Sequence, residues 1–151
     1  MTSNAARGAE VKALKITVLS TMLAGERTLG EWGYSALVEL DGRKILFDAG
    51  MRPETVLANA EALGVDLSDV EDVVLSHAHP DHVGGVVPGR KAFMAKNPKA
   101  FSRIHVAEGF FLIHERRGAP RNAHASSIAF RKDHGSKLHV TDVLSEPERG
   151  P

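Results

Sequence analysis

A chain of 151 residues is long enough for one domain with a hydrophobic core, and a hydrophobic content of 42% is typical of a folded soluble protein. Nineteen basic side chains balance nineteen acidic ones, so the net charge does not indicate a nucleic-acid or anionic-membrane partner. The sequence has no cysteine, which excludes disulfides and thiolate metal sites. It also lacks an apolar run of membrane-spanning length and the apolar core of a signal peptide. We therefore predict a cytoplasmic protein, although export of a longer precursor stays open.

The first part of the chain is predicted to form three strands. Residues 1–10 are small and polar and predict a disordered tail. Residues 14–19 alternate apolar and polar side chains, as a half-buried strand does. Residues 34–40 and 44–47 predict two more strands, and the Asp41-Gly42 pair between them is typical of a tight hairpin.

A helix and a buried strand are predicted next. Residues 53–63 predict a helix because Pro53 stands at its start and Gly64 just past its end. Its apolar face is predicted to pack in the core and contains Val56, Leu57, Ala60 and Leu63. The apolar run 70–75 predicts a buried strand, and this succession of strands and a helix favours the α/β class.

Three histidines and an aspartate follow this strand within six residues. Loops that leave a rigid strand often contain binding residues. His77 and His79 are two residues apart, so in an extended backbone both side chains point the same way and can bind one metal ion. Pro80 fixes a turn that directs Asp81 and His82 toward a different point, suited to a second metal. This spacing is more typical of a metal site than of unrelated surface histidines.

Asp48 directly follows the predicted strand 44–47. Alone, an aspartate at this place is typical of a turn or a helix cap. Beside a metal cluster, it is predicted to orient a histidine ligand through that ligand's second nitrogen. We therefore predict that Asp48 supports the site without binding the ion.

The later part of the chain is less informative. Residues 90–96 predict a helix with Phe93 and Met94 directed inward, residues 104–106 a short strand, and residues 109–113 another apolar run. Residues 141–151 predict an exposed tail.

The order His77-x-His79-x-Asp81-His82 resembles the H-x-H-x-D-H signature of the metallo-β-lactamase superfamily of di-metal hydrolases. Asp48 matches the aspartate that precedes this signature in the family. The resemblance extends from about residue 14 to residue 87 and fades beyond residue 106.

A second segment is similar to one subgroup of that superfamily, which is named after a dihydropterin synthase of methanopterin biosynthesis. The segment 31–35 is similar to E-H-G-F-S, with Trp32 and Tyr34 in place of the histidine and the phenylalanine. In the family, the loop before this segment lies near the mouth of the site. For Glu31 and Trp32 two interpretations stay open: a capping charge and a packed ring, or contact with substrate.

The resemblance implies an α/β fold, a metallo-β-lactamase-like αβ/βα sandwich. The chain would contain its N-terminal half in residues 11–142, between tails at 1–10 and 143–151. The resemblance also implies that His77 and His79 hold a first metal and that Asp81 and His82 hold a second. Asp81 would be the catalytic residue that orients the nucleophile or accepts its proton. Two zinc ions are expected for a complete site, while iron and manganese suit the same ligand types.

The family's later motifs supply a third histidine, a bridging aspartate and a last histidine, and none of them is recognisable here. Five further histidines lack a ligand-type spacing and are expected at the surface: His105, His114, His124, His134 and His139. Two histidines leave a zinc ion one protein ligand short of the usual three in a catalytic site. The chain is therefore expected either to form a homodimer or to need a missing C-terminal half.

Three functions follow as alternatives. The first is a hydrolase in which metal-activated hydroxide attacks an ester, amide or phosphoester of a small-molecule substrate. The second is a non-catalytic metal-binding or interaction remnant, and the third is a pterin-related synthase. The substrate, and whether this chain alone is an enzyme, are not decided by the sequence.

Overall fold

A computed structural model describes residues 10–107, residue 110 and residues 139–142. Six strands form one mixed sheet in the order of the chain: β1 (Leu14–Ser20), β2 (Ser35–Leu40), β3 (Arg43–Phe47), β4 (Asp72–Leu75), β5 (Arg103–Val106) and β6 (His139–Asp142). The first three strands pair antiparallel, and β3 to β6 pair parallel. The helices are α1 (Pro53–Ala62), α2 (Pro80–Val83) and α3 (Val86–Phe93). The predicted α/β class is confirmed.

Several predictions fall outside these residues. The predicted tails at 1–9 and 143–151 and most of the apolar run 109–113 lie there, so the domain boundaries stay predictions. Residues 141 and 142 belong to β6 and not to a tail, which corrects the prediction for those two positions. In the described part of the chain, no helix combines the length and the apolar character needed to cross a membrane.

The β2–β3 hairpin confirms the predicted turn. Asp41 has φ 49° and Gly42 has φ 86°, and positive φ at both central residues is what the type I′ hairpin turn requires. The Asp41 carboxylate also accepts hydrogen bonds from the backbone N–H groups of Lys12 and Ala13. The turn therefore holds the chain that enters β1.

Helix α1 begins at Pro53, as predicted, and its C-cap is Leu63. Proline is tolerated at this position because the N–H that it lacks would have no partner in the first turn of a helix. Val56 and Ala60 face the core, but the predicted burial of Leu63 is wrong because the helix ends before it and its side chain is exposed.

Helix α3 starts at Val86, whereas the sequence predicted a helix at residues 90–96. Pro88 is its third residue, where the N–H would lack a partner inside the helix in any case, so the proline does not delay the start. Phe93 ends the helix and packs edge-on against Phe101, with the ring centroids 5.8 Å apart. Met94 lies beyond the last turn and is exposed, so its predicted inward direction is wrong.

One face of the sheet forms the core. Cross-strand neighbours on this face are fully buried on four successive strands: Leu37, Leu46, Val73 and Ile104. Val56 of α1 and Val86 of α3 belong to the same buried cluster. The helices therefore cover this face, as the alternation of side chains along each strand requires.

The opposite face, called the outward face below, is apolar and partly exposed, since its residues on β1 and Phe47 are exposed while Val38, Ile45 and Val74 are half-buried. Its residues are Leu14, Ile16, Val18, Val38, Ile45, Phe47 and Val74, which the strand register places side by side. On β1, Leu14 is 60% exposed and Ile16 56% exposed. An exposed apolar patch of this kind usually marks a surface that another part of a protein covers.

A charged network borders the outward face at the start of β4. The buried carboxylate of Asp72 accepts hydrogen bonds from Arg103 at 2.7 and 2.8 Å and from Arg43 at 2.9 Å. The His105 Nε2 atom lies 2.7 Å from the same carboxylate. Hydrogen bonds from Arg103, and then from His105 and Arg43, hold the pKa of Asp72 well below its usual range despite burial.

Candidate metal centre

The histidine loop lies between the end of β4 and helix α2. The backbone of His79 is extended, with φ −80° and ψ 145°, as predicted. Pro80 begins a single helical turn, where the sequence predicted a simple turn. This turn carries the chain back, since the N–H groups of His82 and Val83 both donate to the His79 carbonyl. The helical turn therefore brings Asp81 and His82 back toward the ends of β3 and β4.

Asp48 directly follows β3, and its own backbone conformation is unusual. Its φ of 54° lies in the left-handed region, which is uncommon outside glycine and is often found at functional sites. The backbone is held on both sides, because Asp48 N–H donates to the Val74 carbonyl and the Ser35 hydroxyl donates to the Asp48 carbonyl. Since β3 and β4 are parallel, this position lies beside the start of the histidine loop.

The Asp48 side chain is only 1% exposed, and its carboxylate lies beneath the histidine loop. It accepts hydrogen bonds from Ser76 N–H at 2.8 Å and from Ser76 Oγ at 2.7 Å. Its Oδ2 atom lies 2.7 Å from His82 Nδ1. A proton on Nδ1, shared with this carboxylate, leaves a lone pair on Nε2 for a metal. The His82 Nε2 atom faces Asp81, with 3.6 Å to Asp81 Oδ2.

Ser76 extends this network to a second histidine, a role that the sequence analysis did not assign. Its Oγ atom lies 2.9 Å from His77 Nδ1. The hydroxyl has one proton, and the Asp48 carboxylate is its stronger acceptor, so Oγ is free to accept from His77 Nδ1. His77 then also has a lone pair on Nε2. The only sequence signal for this role is a hydroxyl residue directly before the first histidine.

Three of the four predicted ligands form one group. His77, Asp81 and His82 each offer a ligand atom, and these atoms all lie within 4.8 Å of one another. The fourth predicted ligand, His79, contacts His77, and the distance between His77 Nε2 and His79 Nδ1 is 3.1 Å. The His77 ring centroid is 4.1 Å from that of His82 and 4.6 Å from that of His79. The structure thus gathers all four side chains around His77, and their division between two metals stays a prediction.

The cluster also favours the neutral form of His77. Partial removal from water, and then repulsion from His82 and His79, lowers the pKa of His77. Neutral imidazole is the form that binds a metal ion.

Backbone contacts hold the two segments of the site together. The Ala49 N–H donates to the His82 carbonyl at 2.7 Å. A Cβ atom on Gly84 would collide with the Met51 carbonyl, and one on Gly85 with the Ala49 carbonyl. The two glycines after the histidine loop therefore permit a close approach that other residues would prevent.

Glu31 acts as a buried capping charge. Its carboxylate accepts hydrogen bonds from Ser20 Oγ at 2.8 Å and from the N–H groups of Met51 and Arg52, both at 3.0 Å. Arg52 is the N-cap of α1, where a negative charge is favourable. The neighbouring Trp32 is 69% exposed, so the interpretation of a packed ring is wrong.

Of the other histidines, His105 has a described side chain, and it does not join the cluster. His105 binds Asp72 at the opposite end of β4, and His139 begins β6. The remaining three lie outside the described residues: His114, His124 and His134.

Comparisons with known proteins identify the family of the chain. The sequence profile of the metallo-beta-lactamase superfamily matches residues 33–148. A probable metallo-hydrolase of Mycobacterium bovis is 32% identical over 111 residues, which are 72% of this chain and 31% of that protein. The 7,8-dihydropterin-6-methyl-4-(beta-D-ribofuranosyl)-aminobenzene-5'-phosphate synthase of Methanocaldococcus jannaschii is 31% identical over 83 residues, which are 51% of this chain and 28% of that protein. The chain thus spans less than a third of the length of either relative.

Among solved structures, a metallo-beta-lactamase from Novosphingobium pentaromativorans is 27% identical and gives a TM-score of 0.45. That match covers 74% of this chain and 38% of the other. The family assignment depends on the sequence profile and not on this structural similarity.

Proposed function

Since the chain belongs to the metallo-β-lactamase superfamily, we propose that it is a metal-dependent hydrolase that cleaves an ester, amide or phosphoester bond of a small molecule. The observation that carries this proposal is the gathering of His77, Asp81 and His82 above the buried Asp48. A structural ion pair between Asp48 and His82 would not need two more donor side chains, those of His77 and Asp81, beside it.

The donor set suits a divalent metal. Imidazole and carboxylate ligands fit zinc, and also iron or manganese. The contacts of Asp48 and Ser76 leave an Nε2 lone pair on both His82 and His77, and metal binding requires such deprotonated donors. The 3.1 Å between His77 Nε2 and His79 Nδ1 is near the separation of two ligands on one tetrahedral zinc ion, about 3.3 Å for bonds of about 2.0 Å.

In this proposal, His77 and His79 hold a first zinc ion, and Asp81 and His82 hold a second. Bound metals supply an activated water and stabilise the negative charge that develops on the substrate. Asp81 would orient that water or accept its proton, a role supported by its partly exposed carboxylate, which faces His82 Nε2. Asp48 keeps His82 oriented through the contact with Nδ1.

Two alternatives remain, each with an observation in its favour. The similarity to the Methanocaldococcus jannaschii synthase favours a pterin-related synthase. The number of ligands favours a remnant that binds metal without catalysis, because the proposed division gives each ion two protein ligands among the described residues, whereas a catalytic zinc usually has three. A second copy of the chain, or a C-terminal half, would supply the third ligand in the hydrolase.

Metal content tests the proposal first. Protein purified without chelator is analysed for metal per chain, as wild type and as the His79→Ala and Asp81→Ala variants. We expect both variants to lose metal while circular dichroism stays unchanged, because both side chains lie on or next to a surface loop. His105→Ala, on the same sheet but outside the cluster, is the matched control and should keep its metal. Equal metal in all four proteins would refute the assignment.

Activity then separates the alternatives. Metal-loaded protein that hydrolyses phenyl acetate or phenyl phosphate, and loses this activity in Asp81→Ala, supports the hydrolase. Bound metal without hydrolysis of either compound supports the remnant. Tight binding of a reduced pterin, measured by equilibrium dialysis, supports the synthase.

A further inference from the structure

Near its end, the loop between β1 and β2 has a tryptophan, Trp32, whose indole is exposed to water. Trp32 is the single tryptophan of the chain, and its side chain is 69% exposed. Tryptophan is usually well buried, because its ring contributes a large apolar area. An exposed tryptophan next to a reactive centre is instead typical of a binding surface.

The backbone on both sides of Trp32 is fixed. Before it, Glu31 N–H donates to the Thr21 carbonyl at 2.9 Å, and the Glu31 carboxylate is held by three donors. After it, Tyr34 N–H donates to the Asp81 carbonyl at 3.2 Å. The indole is therefore exposed although its backbone is anchored, so the exposure is not that of a loose loop.

The second of these anchors also places Trp32 next to the metal ligands. A Cβ atom on Gly33 would lie 2.8 Å from the Asp81 carbonyl oxygen and 2.9 Å from Met51 N. Trp32 is one peptide unit from this contact, which is about 3.8 Å between Cα atoms. Asp81 is one of the three side chains whose donor atoms converge.

Other exposed apolar side chains lie on the same loop as Trp32 or on the segment bound to that loop. We call this set the apolar rim, and it consists of Met22, Leu23, Leu29, Trp32 and Met51. Backbone contacts join its parts: a Cβ atom on Gly30 would lie 3.0 Å from the Met22 carbonyl, and Met51 N–H binds Glu31. The rim residues therefore lie on one loop and on the segment at Met51 that the loop holds through Glu31.

Buried Asn59 of α1 holds this loop in place. Its Oδ1 atom accepts from Leu29 N–H at 2.7 Å, and its Nδ2 group donates to the carbonyls of Leu29 and Leu19 at 2.8 Å. A buried amide used to fix a loop with an apolar exposed surface indicates that the surface has a preformed shape.

We propose that Trp32 is a specificity-determining residue of the metal centre, and that its indole stacks on an aromatic or other flat apolar group of the substrate. This inference rests on the proposed hydrolase function. The flat group lies on the rim side of the centre, and the bond to be cleaved lies at Asp81. Stacking of two aromatic rings strengthens binding by about threefold to tenfold.

The single tryptophan makes a direct test possible. Metal-loaded protein is excited at the red edge of indole absorption and titrated with phenyl phosphate, methyl phosphate, phenyl acetate and methyl acetate. We expect a saturable change of emission with at least one phenyl compound and a much weaker change with its methyl counterpart. Equal responses to a phenyl compound and its methyl counterpart, or no saturable response, would overturn the inference.

Kinetics provide the second readout. In Trp32→Ala, we expect KM for the phenyl substrate to rise about threefold to tenfold with kcat nearly unchanged. Trp32→Phe should restore most of the loss, and KM for the methyl substrate should not change. Leu63→Ala, an exposed apolar residue at the far end of α1, is the control. An equal rise of KM for both substrates would show a merely structural role.

The two experiments separate the inference from the proposed function. A phenyl-specific change of emission in a protein that hydrolyses none of the four compounds would keep the binding role of Trp32 and reject the hydrolase. Hydrolysis of phenyl and methyl substrates with equal KM in wild type and Trp32→Ala would keep the hydrolase and reject the role of Trp32.

Discussion

Asp48 Oδ2 and His82 Nδ1 lie 2.7 Å apart, although 34 residues separate them along the chain. The parallel pairing of β3 with β4 brings Asp48 beside the histidine loop, and the helical turn after Pro80 brings His82 back onto it. The buried carboxylate then determines which nitrogen of His82 is free. The position of the His82 ring is thus determined by a residue at the end of the sheet.

Replacing Asp48 with asparagine should weaken metal binding. The amide cannot serve as a charged acceptor for His82 Nδ1, so the ring loses its fixed tautomer and orientation. We expect zinc affinity, measured by competition with a chromogenic chelator, to fall about tenfold to hundredfold. The matched control is Asp69→Asn, which removes an exposed carboxylate that pairs with Lys44. Unchanged zinc affinity in Asp48→Asn would contradict the positioning role.

Ser76→Ala tests the second branch of the same network. The substitution removes the hydroxyl between Asp48 and His77 but keeps the Ser76 N–H bond to Asp48. We expect a loss of zinc affinity that is smaller than in Asp48→Asn, because His82 keeps its direct partner. Ser76→Thr retains the hydroxyl and should restore binding. A variant in which threonine binds zinc no better than alanine would exclude this role of the hydroxyl.

The Asp72 network predicts a dependence of stability on pH. The pKa of Asp72 is lower in the folded chain than its ordinary value of 3.8. Its ionised form therefore stabilises the fold fully above that ordinary value, and the stabilisation is lost as the pH falls below it. Urea unfolding at neutral pH and near pH 3 should show this loss in the wild type.

Asp72→Asn should remove much of that dependence. At neutral pH, we expect the free energy of unfolding to fall by about 1.5–3 kcal/mol, the usual range for hydrogen bonds to charged groups. Near pH 3 the variant and the wild type should approach each other. Asp69→Asn again serves as the control and should change stability little, because the Asp69 side chain is 58% exposed in its ion pair with Lys44. An equal pH dependence in Asp72→Asn and wild type would contradict the role of Asp72.

The outward face predicts self-association of the isolated chain. Leu14, Ile16 and Val18 present a continuous apolar strip on β1, and removing such a strip from water is favourable. We propose that a second copy covers it in the purified protein, so light scattering should report dimers or larger species. Ile16→Lys should shift the population toward monomers, whereas Leu63→Lys, outside this face, should not. A wild-type monomer at high concentration would reject the proposal.

The sequence predicted those elements that local chemistry determines. Asp41 and Gly42 specify a hairpin turn by themselves, and Pro53 with Gly64 delimits α1 closely. Membership of the metallo-β-lactamase superfamily, predicted from the H-x-H-x-D-H order, is confirmed by the profile match.

Features that depend on tertiary contacts were predicted less well. The start of α3 was missed because it depends on Gly85, which adopts helical dihedral angles as the N-cap and lies close against Ala49, a contact that the sequence does not show. The contacts of Ser76 were missed because its partner Asp48 is 28 residues away. One interpretation of the sequence gave Trp32 a packed ring. That interpretation was wrong because the exposure of a large ring depends on the backbone contacts around it.

Because the β1–β2 loop is anchored, ligand preference and metal loading can change independently of each other in evolution. Glu31 and Asn59 fix the loop through its main chain, so residues such as Met22, Leu23 and Trp32 can be exchanged without moving those anchors. None of these three exposed residues contributes a donor to the histidine cluster. Random mutagenesis confined to them should therefore diversify ligand preference while metal loading stays constant, which makes this loop a natural starting point for directed evolution.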